Sequence, residues 1–194
     1  MMENNYPNTV SSPPNITMKH NRPTTVLENS RLLLFVILDK AEAIDDELKL
    51  IRARDPSLDN GKIIMNVVNS MGHTMLHKAA EAQRHYQLQW MLEELDGTSD
   101  EVIEWVNARE LSGRGDTALH LAVRNRDLAS VLILRAFGGG GRSVVDANIG
   151  NLHGETAREL ARKNVVEDYY KSDLRQTSID VWVEVKEDDL EEQK

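Results

Sequence analysis

Histidine is the residue type whose spacing first suggests chemistry, because His73 and His77 lie four residues apart, as two metal ligands on one helix face would. A metal site needs further ligands on the same face, however, and the local pattern predicts a turn at His73 and a helix at His77. The chain contains no cysteine, which excludes thiolate zinc sites, disulfides and cysteine nucleophiles. We therefore predict no metal site and no cofactor.

The glycine run at 138–141, followed by Arg142 and Ser143, superficially suggests a phosphate-binding loop. That loop requires Gly-x4-Gly-Lys-Ser/Thr between a strand and a helix, whereas here Ala136 takes the first glycine position, Arg142 replaces lysine, and the run follows a predicted helix. No serine lies in a Gly-x-Ser-x-Gly elbow. The sequence predicts a protein that is not an enzyme and takes no small-molecule substrate.

Amino-acid composition and net charge argue against further classes of function, namely nucleic-acid binding and membrane insertion. The chain has 194 residues, of which 40% are apolar and 28% are charged, which is typical of a globular protein with a sizeable core. Asp and Glu number 32 against 23 Lys and Arg, so a net charge of -9 disfavours nucleic-acid binding. The longest apolar run, 32–38, is far shorter than a membrane span of about 20 residues. With no basic, apolar leader at Met1–Asn5, we expect a cytoplasmic and/or nuclear protein that binds no membrane.

An internal repeat decides the fold class. The segment 72–80, Gly-His-Thr-Met-Leu-His-Lys-Ala-Ala, recurs at 115–123 as Gly-Asp-Thr-Ala-Leu-His-Leu-Ala-Val and more weakly at 154–162. In each copy the glycine permits a turn and the threonine can cap the helix that follows. The motif residues are Gly72, Thr74, Leu76 and His77 in the first copy, Gly115, Thr117, Leu119 and His120 in the second, and Gly154 and Thr156 in the third.

This pattern resembles the ankyrin repeat, whose fingerprint is Thr-Pro-Leu-His-x-Ala on a period of about 33 residues. The resemblance covers residues 31–175 and implies an all-α ankyrin-repeat solenoid of about four helical hairpins with β-turn fingers. It also implies that His77 and His120 hydrogen-bond the neighbouring turn through both ring nitrogens.

The chain also departs from the ankyrin pattern. The motif threonines lie 43 and 39 residues apart, so the links between repeats must hold insertions. A capping-box pattern over 98–101 predicts a short helix in the first insertion. Polar residues replace Leu-His in the third copy, which is expected of a terminal capping repeat.

The predicted domain organisation has three parts. Residues 1–27 hold four of the five prolines and few aliphatic residues, which predicts a disordered N-terminal arm. Residues 28–175 form the ankyrin-repeat domain. Its subdivisions are a cap repeat at 31–65 and repeats near 66–106, 107–147 and 148–175. Residues 176–194 form an extended segment and an acidic tail, with alternation from Ile179 to Val185 that predicts a short strand. This strand either adds to another protein's sheet or docks on the last helices of the array.

Helix boundaries follow from apolar spacing and from capping residues. The predicted helices run from Arg31 to Ala43 and from Asp45 to Arg54, from Thr74 to Gln83 and from Tyr86 to Leu95, and from Ala118 to Asn125 and from Asp127 to Phe137.

The resemblance implies that partners bind at the finger tips and on the exposed face of the first helix of each repeat. The corresponding finger positions are Ser70, Met71, His73, Gly113, Arg114, Asp116, Leu152, His153 and Glu155, and the helix positions are Glu81, Ala82, Arg124, Asn125, Lys163 and Asn164. We therefore predict a module that binds a protein partner. Two narrower roles stay open. One is an inhibitor of Rel/NF-kappa-B-type transcription factors that masks a basic surface. The other is an adaptor or host-interaction factor of a virus or bacterium.

Overall fold

A computed structural model describes residues 24–111, 113–138 and 143–171, with side chains described up to residue 164. Most of the predicted N-terminal arm, the predicted strand from Ile179 to Val185 and the acidic tail lie outside these residues. Within the described part of the chain every regular element is a helix. The helices are α1 Val26–Ile37, α2 Ala41–Arg54, α3 Asn60–Asn66, α4 Met75–Glu81, α5 His85–Glu93, α6 Asp100–Val106, α7 Ala118–Arg124, α8 Leu128–Ala136 and α9 Ala157–Lys171.

The helices stack as an all-α solenoid of hairpins. The pairs α1–α2, α4–α5 and α7–α8 are three hairpins, and α9 begins the fourth repeat. The first helices of the repeats, α1, α4, α7 and α9, pack side by side into an inner layer, and α5 and α8 pack together in the outer layer. Short turns with a fingerlike shape precede α4, α7 and α9, and the links that follow α2 and α5 hold the additional helices α3 and α6.

Local capping explains where the inner helices begin. Thr74 adopts an extended conformation and accepts a hydrogen bond from the backbone of His77, whose ring in turn accepts from the backbone of Thr74. Thr117 and His120 repeat this capping box at the start of α7. The same box with a glutamate, Thr25 with Glu28, begins α1. The threonine caps at α4 and α7 were predicted from the sequence, whereas the box at Thr25 was not.

A continuous aliphatic core joins the repeats. Its fully buried members come from every hairpin and include Leu32, Leu48, Leu76, Met91 and Leu119. Buried alanines such as Ala79 and Ala122 have no side chain beyond Cβ, which lets neighbouring inner helices approach closely. Burial of this surface between adjacent hairpins is the main stabilising contribution expected for a repeat array.

The helix boundaries differ from the predictions mainly in the first hairpin. Helix α1 begins at Val26 rather than Arg31 and ends at Ile37 rather than Ala43, because Thr25 caps its start and a left-handed residue, Asp39, turns the chain just after it. Helix α3 was not predicted, since Asn60-Gly61 after Pro56 suggests a turn. Asp59 in fact caps it by accepting a hydrogen bond from the backbone of Lys62.

The short helix predicted in the first insertion is present as α6, but the predicted capping box is not formed. Ser99 is the residue before the helix, and its side chain makes no cap hydrogen bond. The hydroxyl of Thr98 donates instead to Asp96, 2.7 Å away, within the preceding turn. Two acidic residues in the first turn, Asp100 and Glu101, complement the helix dipole without a box.

Candidate partner-binding surface

Three finger turns form one edge of the array. The first spans Asn69 to His73 and the third spans Asn151 to Glu155, and in both the asparagine side-chain oxygen accepts backbone hydrogen bonds from within the turn. In each finger, the amide of the first residue donates a closing hydrogen bond to the carbonyl oxygen of the last residue. The second finger runs from Glu110 to Asp116 and is therefore two residues longer than the other two. The fingers are therefore similar in construction but not in length.

Backbone hydrogen bonds connect each finger to the next. The amide of Leu111 donates to the carbonyl oxygen of Met71 at 2.8 Å, and the amide of Leu152 donates to that of Arg114 at 2.7 Å. Glycine is needed where the fingers touch: Gly72 has a φ of +75°, and a Cβ atom there would lie 2.7 Å from the backbone nitrogen of Leu111. These contacts hold the finger tips in fixed relative positions.

Each finger carries one large apolar side chain that remains exposed to solvent. Met71 is 53% exposed, Leu111 is 61% exposed and Leu152 is 63% exposed. We call these three residues the fingertip row. Leu111 was not among the predicted site residues, because aligning the repeats by their glycines hides the two additional residues of the second finger. The recurrence of leucine directly after Glu110 and after Asn151 is the sequence signal that would have identified it.

The two motif histidines join adjacent repeats, as the ankyrin resemblance implied. His77 Nδ1 lies 2.8 Å from the hydroxyl of Thr74, and its Nε2 lies 3.2 Å from the carbonyl oxygen of Asp116 in the next finger. His120 repeats this geometry, with 2.8 Å to Thr117 and 2.9 Å to the carbonyl oxygen of Glu155. Because Nδ1 faces hydrogen-bond donors, Nε2 carries the proton and both rings are neutral.

Burial explains why these rings stay neutral. Burial, and to a lesser extent the neighbouring ring of His73, lowers the pKa of His77 to about 4. Burial also lowers the pKa of His120 below its ordinary value. Neither ring is presented to solvent, so both are structural links rather than general bases.

His73 makes a different contact between fingers. Its Nε2 lies 2.5 Å from Oε2 of Glu110, and both side chains are about nine-tenths buried. The predicted surface position His73 is therefore mostly occupied by this pair, which ties the first finger to the second.

A polar network links the second finger to the third. Asp116 is only 2% exposed, and its carboxylate accepts hydrogen bonds from Arg124, at 3.2 Å, and from the Nδ2 atom of Asn151, at 2.8 Å. Glu155 lies 3.9 Å from Arg124 and forms a 2.5 Å ion pair with Lys163. Asp116 thus orients Arg124 from beneath and does not itself reach the surface.

Side chains from each following repeat hold the ends of the inner helices. The guanidinium of Arg84 donates twice to the carbonyl oxygen of Ile37, at 2.9 and 2.7 Å. Asn125 donates to the carbonyl oxygen of Glu81 at 3.0 Å, and Asn164 donates to that of Val123 at 2.8 Å. Asn125 and Asn164, both predicted to bind partners, therefore also cap the helices of their neighbours.

The predicted site residues divide by exposure. The exposed ones are Ser70, Met71, Glu81, Gly113, Arg114, Asn125, Leu152, His153 and Lys163. The partly buried ones are His73, Ala82, Arg124, Glu155 and Asn164, and Asp116 is buried. The exposed positions lie on the fingers and at or near the inner helices, and their role in binding stays a prediction.

Among the described residues, no group of three or more His, Asp or Glu side chains is arranged to hold a metal ion. None of the helices in residues 24–111, 113–138 and 143–171 is long and apolar enough to cross a membrane.

Comparison with known proteins gives a structural match. No protein-family model matches the sequence, and no curated protein matches it either. The structure resembles that of Yar1 in the crystal structure of the yeast ribosomal protein Rps3 in complex with its chaperone Yar1, with a TM-score of 0.58 and 22% sequence identity. The match covers 80% of this chain and 100% of that chain. It confirms the predicted ankyrin-repeat fold.

Proposed function

We propose that this chain binds a protein partner along the surface formed by its fingers and inner helices, without catalysing a reaction. The observation that carries this proposal is the fingertip row of Met71, Leu111 and Leu152, three large apolar side chains that the fingers hold in solvent. Exposed apolar side chains rimmed by polar ones are typical of protein interaction sites. Arg114, Asn125 and Lys163 supply such a rim.

The rigidity of the surface favours a binding role. Backbone hydrogen bonds fix Leu111 against Met71 and Leu152 against Arg114. A partner that meets a surface already ordered in this way loses less conformational entropy than one that must order flexible loops. The three apolar tips can then act as anchors in pockets of the partner.

The comparison supports a protein as the partner. Yar1, whose fold this chain shares, is the chaperone of a ribosomal protein in the solved complex. The net charge of -9 favours a basic partner over an acidic one. We place the protein in the cytoplasm and/or nucleus.

Two narrower roles remain compatible with this proposal. An inhibitor of Rel/NF-kappa-B-type transcription factors would mask a basic surface, which the net charge favours. An adaptor or host-interaction factor would instead join two proteins. The identity of the captured partner separates these roles.

The absence of cysteine allows a direct test with site-specific cross-linkers. Met71→Cys and Leu152→Cys, each labelled with a photoreactive maleimide, should capture the same protein from a native lysate of the source organism. The matched controls Leu50→Cys and Tyr86→Cys, which are 64% and 70% exposed on the outer helices, should not capture it. Equal capture from the fingers and the outer helices would show that the fingertip row is not the binding surface.

Affinity measurements complete the test. Met71→Asp combined with Leu152→Asp should weaken binding of the captured partner at least tenfold, since a charge would enter each apolar pocket. Leu50→Asp combined with Tyr86→Asp should leave the affinity unchanged.

A further inference from the structure

The last outer helix of the array has an apolar stripe that no described residue of a following repeat covers. Leu128, Leu132 and Ala136 lie four residues apart along α8, and Leu132 is 53% exposed. The described residues end at Lys171, the last residue of α9, and they include no outer helix of the fourth repeat. In the preceding repeat α8 itself packs on the corresponding side of α5.

Equivalent positions of the outer helices α5 and α8 differ in exposure at the C-terminal end of the array. The repeat register aligns Leu88 with Val131 and Met91 with Leu134, which are buried in both outer helices. In the same register, Leu92, which is buried, aligns with Arg135, which is exposed.

In the inner layer, too, residues that are buried in one repeat have exposed polar equivalents in the last repeat. Val123 is buried in α7, and the equivalent Arg162 in α9 is exposed. His120, which is buried, aligns with Glu159, which is exposed. Among the side chains described up to residue 164, the C-terminal end face therefore combines the apolar stripe of α8 with Arg135, Arg162 and the acid Glu159.

We propose that residues 179–185 of the same chain dock on the apolar stripe of α8 and close the C-terminal end of the array. Their apolar residues alternate as Ile179, Val181, Val183 and Val185. Alternate residues of an extended chain lie about 6.6 Å apart, and residues four apart on a helix are separated by about 6 Å along its axis. The two rows of side chains can thus meet along the length of the stripe.

The charges of the two surfaces are complementary. Residues 177–194 carry five of the nine net negative charges of the chain. The segment that follows the apolar row, 187–192, contains five acids, and the end face presents Arg135 and Arg162. Attraction between these acids and arginines would favour one direction of the segment along α8 and disfavour the opposite direction.

Chain length favours occupation by the chain's own segment over a separate protein. Seven residues, 172–178, connect α9 to the apolar row and can span at most roughly 23 Å when extended. A short tether of this kind gives an effective concentration in the millimolar range, which a separate partner does not reach.

Disulfide trapping in the full chain tests the proposal, because there is no native cysteine to interfere. Leu132→Cys with Val183→Cys should oxidise at low protein concentration to a disulfide within one chain, detected as an unreduced monomer by mass spectrometry. The matched pair Leu50→Cys with Val183→Cys should oxidise at least tenfold more slowly, since Leu50 is an exposed leucine on α2, at the other end of the array. Equal rates in the two pairs, or disulfides only between chains, would overturn docking within the chain.

A double-mutant cycle measured by urea unfolding is a second, independent test of the docking. Leu132→Ser and Val183→Ser should each lower the urea midpoint of unfolding, and their combination should lower it by less than the sum of the two shifts. Leu50→Ser with Val183→Ser should be additive. Additivity in both cycles would contradict the proposal.

Discussion

The Nε2 atom of His77 lies 3.2 Å from the carbonyl oxygen of Asp116, so a buried side chain of one repeat donates to the backbone of the next. His120 makes the same bond to Glu155 at 2.9 Å. These imidazoles are therefore structural links between repeats, and most of the tests below ask how much such links contribute to stability.

Replacement of His77 should destabilise the fold strongly. His77→Ala removes bonds at both ring nitrogens: the buried amide of Thr74 loses its acceptor, and the carbonyl oxygen of Asp116 keeps only the bond from the amide of Glu110, so we expect a loss of about 3 kcal/mol in the free energy of unfolding. Urea titration measures it. His153→Ala, at an exposed finger position, is the control and should change the free energy by less than about 0.5 kcal/mol. Equal effects would show that the link is unimportant.

Stability should fall as the pH is lowered from about 6.5 to about 4. The folded state holds His77 neutral with a pKa of about 4, while in the unfolded chain this histidine binds a proton near pH 6.5. Protonation therefore favours unfolding within that window, by up to about 3 kcal/mol from this residue. Urea titrations across the window should give a flatter profile for His77→Gln. An unchanged slope would contradict this assignment.

Removal of the buried carboxylate beneath the second finger should also be costly. Asp116→Ala leaves Arg124 and Asn151 without their shared acceptor, and we expect a loss of about 3 kcal/mol. The control is Asp46→Ala, because Asp46 is an exposed partner of Lys49 and contributes less than about 1 kcal/mol. Thermal unfolding of both variants distinguishes the two sites, and similar melting temperatures would refute a role for Asp116.

Two finger glycines offer a matched comparison of backbone strain and close contact. Gly72 and Gly154 have φ values of +75° and +73°, but a Cβ at Gly72 would lie 2.6 Å from the Cγ of Leu111, and a Cβ at Gly154 would meet nothing within 4 Å. Gly154→Ala should cost only the conformational penalty of about 1 kcal/mol. Gly72→Ala should cost measurably more in urea unfolding, and an equal cost would mean that Leu111 moves aside freely.

The motif-bearing hairpins were the part of the fold that the sequence predicted best. Thr117 and His120 lie three residues apart and cap their helix with local contacts, so the predicted α7 boundary, Ala118 to Asn125, differs from the observed helix end at Arg124 by one residue. The start of α1 escaped prediction because Thr25 lies among residues whose composition indicates disorder.

Burial of the candidate site residues was not predictable from local sequence. Asp116 is buried because Asn151, 35 residues further along the chain, donates to it, and His73 is mostly buried because Glu110 lies across from it. Both contacts depend on how the fingers stack. The two additional residues of the second finger likewise became evident only from its closing hydrogen bond between Glu110 and Asp116.

Because Arg84, Asn125 and Asn164 cap the inner helix of the preceding repeat, unfolding of the array should proceed from its C-terminal end. Each of these side chains satisfies a carbonyl oxygen of the repeat before it, so loss of the final repeat strips the cap from α7, and loss of the next strips it from α4. Damage such as proteolytic nicking near the C-terminal end should therefore advance towards the N-terminal end as successive partial openings, each exposing the repeat that fails next.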